Sequence, residues 1–249
     1  MKIDKMITLK SKAKGIVFLK INNPPVNALS LSLVQALNEA LELKVIRDAS
    51  VLVFSSKGNG FSAGADLKER STMTDEESLA TVDSYCNLFN KIESLKYPTI
   101  SRIHGYALGG GLELSLACDF RFATKATLLG FPETNIGIIP GAGGTQRLPQ
   151  LIGLSKAKEW IFLAQKFSAK KGLEDKVLNA VFDCKEDMDK YLEKFCADIV
   201  NNCDVAISAA KKSINSSNDI INGSNIERKE YIKTFDSEVR RKKLERYRK

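Results

Sequence analysis

The stretch YPTISRIHGYALGGGLELSLACDFRFAT, residues 97–124, decides the fold class of this chain. Its apolar run 98–103 predicts a strand, the segment 110–117 predicts a helix, and the run 120–123 predicts a second strand. A strand, a helix and a strand in so short a span favour parallel pairing, because the helix carries the chain back along the sheet. The stretch therefore predicts an α/β fold.

The same alternation extends in both directions from this stretch. Apolar patterns predict paired strands at 6–10 and 15–21, a strand at 51–55 and a strand at 177–182. Ser30 is a plausible N-cap for a helix over 30–45, and Thr74 with Glu77 matches a capping box for a helix over 74–95. Further helices are predicted at 145–164, 186–201, 205–216 and 225–248. We therefore divide the chain into a core with the active site, 1–195, and a helical region for assembly, 196–249.

Composition excludes several classes of protein. The chain has 249 residues, 43% of them hydrophobic, and a net charge of +8, which favours anionic partners. Its first residues lack a secretory apolar run, and no stretch approaches the length of a membrane helix. One histidine and five cysteines, none in a C-x-x-C pair, supply a zinc site poorly. We expect a reduced, cytoplasmic protein with no metal, in which His104 is a packed side chain rather than a base.

Glu113 follows the glycine triplet 109–111 at the start of the predicted helix. A helix start presents unpaired N–H groups, and glycine lets a ligand approach the backbone, so the N–H of Gly110 can face a developing oxyanion. Glu113 lies three residues further on, roughly on the same side. The same pattern also fits a tight strand–helix junction with a capping glutamate, and that alternative stays open at this point.

Two more glycine-flanked segments carry candidate groups. FSAGADLKE, residues 61–69, offers a second N–H at Ala65, and two such donors on one oxygen contribute about 3 kcal/mol each to an oxyanion hole. Taken alone, this segment is also an ordinary turn. Glu133 lies in GFPETNIGIIPGAGGTQRL, residues 130–148, before a loop that lacks the ending of a phosphate-binding loop. Two carboxylates and two backbone donors indicate acid–base chemistry beside a carbonyl.

Together these segments resemble the enoyl-CoA hydratase/isomerase, or crotonase, superfamily. The resemblance covers nearly the whole chain, with its motifs in the expected order and spacing. The motifs are PPVNALS (24–30), FSAGADLKE (61–69), the stretch 97–124, GFPETNIGIIPGAGGTQRLPQLIG (130–153) and SKAKEWIFLA (155–164).

The resemblance implies a crotonase-like spiral of repeated ββα units with a C-terminal helical trimerisation region. It also implies a homo-oligomer, either a trimer or a dimer of trimers. Ala65 and Gly110 match the two donors that hold a thioester oxygen, and Glu113 and Glu133 match the catalytic pair. The loop lying against coenzyme A matches Ala63, Gly64, Ala65, Asp66, Leu67 and Lys68. The implied partner is an acyl-CoA thioester, with no separate cofactor because coenzyme A is part of the substrate.

The reaction class also follows from the resemblance. Isomerases of the family usually keep one acidic group, often at the position of Glu133, whereas both glutamates together imply an enoyl-CoA hydratase. The expected reaction is syn addition of water to a trans-2-enoyl-CoA, with Glu113 as base and Glu133 as acid. Double-bond isomerisation is the alternative. RNA binding through the basic residues 240–249 is less favoured, because no nucleic-acid motif accompanies the charge.

Two expectations concern the details of the chain. We expect the segment 70–80 and the helix after it to shape the acyl pocket. The family's Ala-x-x-Ala-x-x-x-Gly-Leu-Val run begins here at Ala169, with Gly172 for the second alanine and Lys176 for the turn glycine. This departure makes the local turn less certain than the active site.

Overall fold

The computed structural model describes residues 2–217 and 220–245 and gives an α/β protein with ten strands among them. The strands are β1 Lys2–Asp4, β2 Ile7–Ser11, β3 Ile16–Ile21, β4 Val51–Ser56, β5 Thr99–Ile103, β6 Tyr106–Leu108, β7 Phe120–Thr124, β8 Leu128–Gly130, β9 Phe167–Ser168 and β10 Ala180–Phe182. The helices are α1 Leu31–Glu42, α2 Lys44–Arg47, α3 Leu67–Arg70, α4 Asp75–Glu93, α5 Gly110–Leu116, α6 Gly144–Ile152, α7 Leu154–Phe162, α8 Ala169–Glu174, α9 Lys185–Val200, α10 Asp204–Asn215, α11 Ile220–Lys233 and α12 Glu238–Glu245. Three short 3-10 turns lie at Ala13–Gly15, Glu133–Ile136 and Thr234–Asp236.

The strands form two sheets, and the chain passes from one sheet to the other in each repeat of the spiral. The larger has seven strands in the order β1-β2-β3-β4-β5-β7-β10, antiparallel at its first two pairings and parallel from β3 onward. The smaller has the order β6-β8-β9. β5 is followed at once by β6, and β7 by β8, so each turn adds one strand to each sheet before the next helix. The crotonase-like spiral of ββα units is therefore confirmed.

Local signals place several helix starts where the sequence predicts them. Ser30 caps α1 by accepting a hydrogen bond from Leu33 N, and Thr74 and Glu77 form the predicted capping box at α4. A side-chain acceptor satisfies an N–H that the first turn leaves unpaired, which fixes the start of the helix. α1 and α4 pack on one side of the large sheet, where the main apolar core includes Leu37 and Phe89.

The strand predicted at 177–182 forms only over its last three residues, as β10. Residues 177–179 have no regular secondary structure, and α8 precedes them at Ala169–Glu174, a helix that the prediction from periodicity missed. A Cβ on Gly172 would lie 2.7 Å from Leu129 Cδ1, so the small residue lets α8 pack against β8. Lys176 adopts φ +66° in place of the family's turn glycine, so the turn is retained with a non-glycine residue.

The C-terminal part is helical, but the helix predicted over 225–248 is interrupted. α11 ends at Lys233, a 3-10 turn follows, and α12 covers Glu238–Glu245; the rest of the predicted helix and of the basic tail lies outside the described residues. α9 covers the second face of the large sheet through Met188, Leu192 and Cys196, and it spans the boundary proposed at residue 195. The division into two regions and the trimerisation role stay predictions. Among the described helices, none combines the length and apolar character that crossing a membrane requires.

Candidate active site

The loop after β4 is held beside the start of α5. Leu29 N donates to Gly64 O at 2.8 Å, and Leu29 forms an isolated parallel bridge with Ala65. Ser62 Oγ donates to Asn27 O at 2.6 Å and accepts a hydrogen bond from Gly64 N at 3.1 Å. Backbone and side-chain contacts therefore fix the position of Ala65.

Glycine lets this loop approach the helix closely. A Cβ on Gly64, whose φ is +93°, would lie 2.7 Å from Leu108 O and 3.1 Å from Gly110 N. A Cβ on Gly110 would lie 3.6 Å from Ala65 N. Because Gly110 is the first residue of α5, its N–H has no acceptor within the helix. The two amides predicted as a donor pair thus belong to directly adjacent segments.

Glu113 lies in the first turn of α5 and is 3% exposed. Its Oε1 accepts hydrogen bonds from Ala142 N and Gly144 N, both at 2.8 Å. Burial raises the pKa of Glu113, while the two amides and the positive charge of Arg147 oppose that rise. Two donors on one oxygen orient the carboxyl group and favour its ionised form.

Glu133 begins the 3-10 turn that follows β8 and is 9% exposed. Its Oε2 is buried and finds no hydrogen-bond partner within the part of the chain that the structure describes. Burial raises the pKa of Glu133 to about 7, and the charge of Glu113 adds to the rise. A carboxyl group with this pKa can give or take a proton near neutral pH.

The two glutamates reach the same region from different elements. Gly109 N donates to Gly130 O at 2.9 Å, which ties the start of α5 to the end of β8. A Cβ on Gly109 would lie 2.6 Å from Glu133 Oε1, so Glu133 packs against the residue that precedes the helix of Glu113. The structure therefore brings both predicted carboxyl groups to the start of α5.

A cavity of about 360 Å³ opens at this place. Glu133, Gly109 and Ala65 line it, while Gly110 and Glu113 are not among its lining residues. Five of the six residues predicted to contact coenzyme A line it: Ala63, Ala65, Asp66, Leu67 and Lys68. Its apolar side comes from Pro24, Pro25, Val26, Ala28, Ile136 and Ile138. The cavity thus combines an apolar wall with one ionisable group of raised pKa, as ligand sites commonly do.

The remaining residues that the sequence analysis singled out lie at the following places in the structure. Asp66 Oδ1 caps α3 by accepting hydrogen bonds from Lys68 N and Glu69 N. His104 Nε2 pairs with Gly58 O at 2.9 Å, and this buried side chain is not among the residues that line the cavity at Glu133, in agreement with the packed role. The segment 70–80 does not line this cavity, so its predicted role in the acyl pocket stays a prediction. Among the described residues, no group of three or more His, Cys, Asp or Glu side chains could hold a metal ion.

The sequence reasoning missed the loop that holds Glu113. Residues 141–147 lack the ending of a phosphate-binding loop, yet the amides of Ala142 and Gly144 within them bind the Glu113 carboxylate of the chain itself. A Cβ on Gly144 would lie 2.9 Å from Glu113 Oε1, which explains the glycine at this position. The glycine-rich composition of this loop was the sequence feature that could have indicated its role. Its contact with Glu113 joins residues about thirty positions apart, so local patterns do not reveal it.

Comparison with known proteins gives consistent matches along the chain. The sequence profile described as Enoyl-CoA hydratase/isomerase matches residues 11–249. YngF of Bacillus subtilis (strain 168), whose name places it with enoyl-CoA hydratase/isomerase proteins, is 38% identical over 97% of this chain and 94% of its own. The human mitochondrial protein named methylglutaconyl-CoA hydratase is 38% identical over 93% of this chain and 71% of its own. A crystal structure of enoyl-CoA hydratase from Bacillus anthracis has a TM-score of 0.91 and 34% identity, covering 98% of this chain and 96% of its own.

Proposed function

Because this chain belongs to the enoyl-CoA hydratase/isomerase family, we propose that it hydrates a trans-2-enoyl-CoA thioester to a 3-hydroxyacyl-CoA. The water oxygen forms a bond to C3, one proton of that water passes to the enzyme, and C2 receives a proton from the enzyme. Both additions occur on one face of the double bond. Enzymes of the family act on acyl-CoA thioesters, and what is proposed for this chain is the choice of hydration and the role of each residue.

The thioester oxygen accepts hydrogen bonds from the amides of Ala65 and Gly110. Their segments lie against each other, with Gly64 and Gly110 allowing the approach. Addition of water at C3 moves negative charge onto the thioester oxygen, so donors fixed in place stabilise the transition state more than the substrate. Ala63, Asp66, Leu67 and Lys68 accommodate the coenzyme A portion along the wall of the cavity.

Glu113 and Glu133 hold the reacting water between them. The observation that carries the proposal is the difference between their environments. Glu113 Oε1 accepts two amide hydrogen bonds, which suits a carboxylate base. Glu133 Oε2 is buried, finds no hydrogen-bond partner among the described residues, and belongs to a carboxyl group with a pKa of about 7. Glu113 therefore acts as the base towards water, and Glu133 as the acid that protonates C2.

Hydration is tested by mixing the purified protein with crotonyl-CoA and following the loss of the conjugated enoyl-thioester absorbance. The expected result is saturable loss of absorbance, with 3-hydroxybutyryl-CoA identified by mass spectrometry. Longer and branched enoyl thioesters extend the assay, including 3-methylglutaconyl-CoA because one relative carries that name. Failure of every thioester in the panel would refute the hydratase proposal.

Isomerisation is the second candidate, and one observation favours it. Glu113 Oε1 already accepts hydrogen bonds from Ala142 N and Gly144 N, and Glu113 does not line the cavity. Glu133 does line it and has a pKa of about 7, which makes it a suitable single proton shuttle. An isomerase moves a proton between C2 and C4 and needs no water. Supplying a 3-enoyl-CoA separates the two candidates, because an isomerase alone stops at the conjugated 2-enoyl-CoA whereas a hydratase alone leaves the 3-enoyl-CoA unchanged.

A further inference from the structure

Arg147 joins the loop at Glu113 to the long helix α4. Its side chain is 8% exposed and ion-paired with Glu93 of α4. Nη2 donates to Asn90 Oδ1 at 2.7 Å and to Glu93 Oε2 at 2.8 Å, and Nε donates to the same Oε2 at 3.2 Å. The planar guanidinium is therefore fixed on two side chains of one helix.

The same guanidinium supports the loop 141–144. Arg147 Nη1 donates to Ala142 O at 3.1 Å, and a Cβ on Gly143 would lie only 2.0 Å from Nη1. Ala142 N and Gly144 N, on the same loop, donate to Glu113 Oε1. Arg147 and Glu113 thus bind the same short loop. The arginine donates a hydrogen bond to a backbone carbonyl of the loop, and the glutamate accepts hydrogen bonds from two of its backbone amides.

We propose that Arg147 is a positioning residue for Glu113. By holding the loop, Arg147 keeps two amides directed at Glu113 Oε1 and so keeps the carboxylate ionised and oriented towards water. The guanidinium of Arg147 is bonded to Asn90, Glu93 and Ala142 O, so it acts through the loop and not on the substrate. The consequence for catalysis rests on the proposed hydratase function, whereas the effect on Glu113 rests on the loop alone.

Among the residues that the structure describes, Arg147 is the cationic group whose charge lowers the pKa of Glu113. From the other elements, the groups that interact with Glu113 electrostatically are Glu133 of the 3-10 turn and Tyr85 and Cys86 of α4. Burial raises the pKa of both Tyr85 and Cys86, so these two side chains stay neutral near pH 7. Loss of the arginine would therefore leave the Glu113 carboxylate without a compensating positive charge.

The kinetic test compares Arg147→Gln with the wild type across pH. We expect kcat to fall about tenfold to hundredfold with KM changed less than about twofold, since Arg147 does not touch substrate. The acid limb of the kcat/KM profile should move to higher pH, because Glu113 must be ionised to act as base. Arg102→Gln is the matched control: Arg102 is 12% exposed and ion-paired with Asp189 at 2.5 Å, away from this loop. A limb that stays in place in Arg147→Gln would overturn the proposal.

A second readout needs no activity. Protein labelled with ¹³C at the glutamate carboxyl carbons is titrated by NMR, with Glu113→Gln assigning the signal of Glu113. An upward shift of the Glu113 pKa in Arg147→Gln supports the positioning role, and an unchanged pKa refutes it even if the wild type hydrates no thioester. Should Arg147→Gln fail to fold, Arg147→Lys is the second variant, because lysine keeps the positive charge but cannot form the several hydrogen bonds of the planar guanidinium. A kcat of Arg147→Lys equal to that of the wild type would overturn the proposal.

Discussion

Glu133 occupies the space that a side chain at Gly109 would need. A Cβ built on Gly109 would lie 2.6 Å from Glu133 Oε1 and 3.3 Å from its Cδ. Gly109 also has φ +50° and ψ −127°, a backbone conformation that side-chain-bearing residues rarely adopt. The first glycine of the triplet therefore serves two purposes: it adopts the backbone conformation required just before α5, and it leaves room for the proposed acid.

Gly109→Ala should displace Glu133 and lower kcat by about a hundredfold, comparable to removing a general acid. It should also lower the free energy of unfolding by about 1–3 kcal/mol through backbone strain. Gly153→Ala is the matched control, because Gly153 has φ +78° and ψ 159° but no atom of the described residues lies within 4 Å of its built Cβ. Urea unfolding and crotonyl-CoA kinetics measure both effects. Equal kcat in the two variants would contradict the packing argument.

Glu133→Gln should lower kcat about 10²–10⁴-fold while KM changes little, because the amide keeps the shape of the side chain and cannot give a proton to C2. Steady-state kinetics on crotonyl-CoA at several pH values provide the measurement. Binding of a saturated acyl-CoA, followed by calorimetry, is the control and should match that of the wild type. A variant with wild-type turnover would exclude Glu133 as the acid.

The pKa of Glu133 also predicts how stability depends on pH. The folded-state value of about 7 exceeds the ordinary 4.5, so the folded protein binds this proton more tightly than the unfolded chain does. The stabilisation is complete below about pH 4.5 and is lost as pH rises through about 7. The loss amounts to about 3 kcal/mol in the free energy of unfolding.

Glu133→Gln should remove this contribution. Between pH 5 and pH 8 the free energy of unfolding of the variant should therefore fall less steeply than that of the wild type, although Glu113, whose pKa is also raised, retains its own effect. Urea denaturation at matched pH values measures the difference. If the free energy of unfolding depends on pH in the same way for both proteins, Glu133 ionises in the folded state as it does in the unfolded chain.

The predicted homo-oligomer is tested by measuring its molar mass in solution, using size-exclusion chromatography coupled to light scattering. Several apolar side chains are widely exposed on the single chain, including Leu154 at 70%, Phe162 at 68% and Ile139 at 66%. Water contact with these groups is unfavourable, and a subunit interface would remove it. We expect a mass of three or six times 27.5 kDa. A mass of one chain at micromolar concentration would contradict the prediction.

Local sequence signals determined much of the fold. Ser30 and the Thr74–Glu77 pair mark helix starts because a cap involves residues only a few positions apart. The alternation of strands and helices likewise indicated parallel pairing, which is confirmed in the large sheet by β3, β4, β5, β7 and β10. The strand predicted at 177–182 is shorter in the structure because only Ala180–Phe182 pair with β7, whereas Leu178 N donates to Gly172 O of α8. Such pairing depends on tertiary contacts and not on periodicity.

The sequence by itself determined which groups are available for chemistry: two glutamates, each next to glycines, and two candidate amides. Only the tertiary structure decided how those glutamates differ. A pKa depends on burial and on nearby donors and charges, and the donors to Glu113 come from Ala142 and Gly144 on a distant loop. Within residues 2–217 and 220–245, Glu133 finds no such donor for its Oε2, although it has the same side chain.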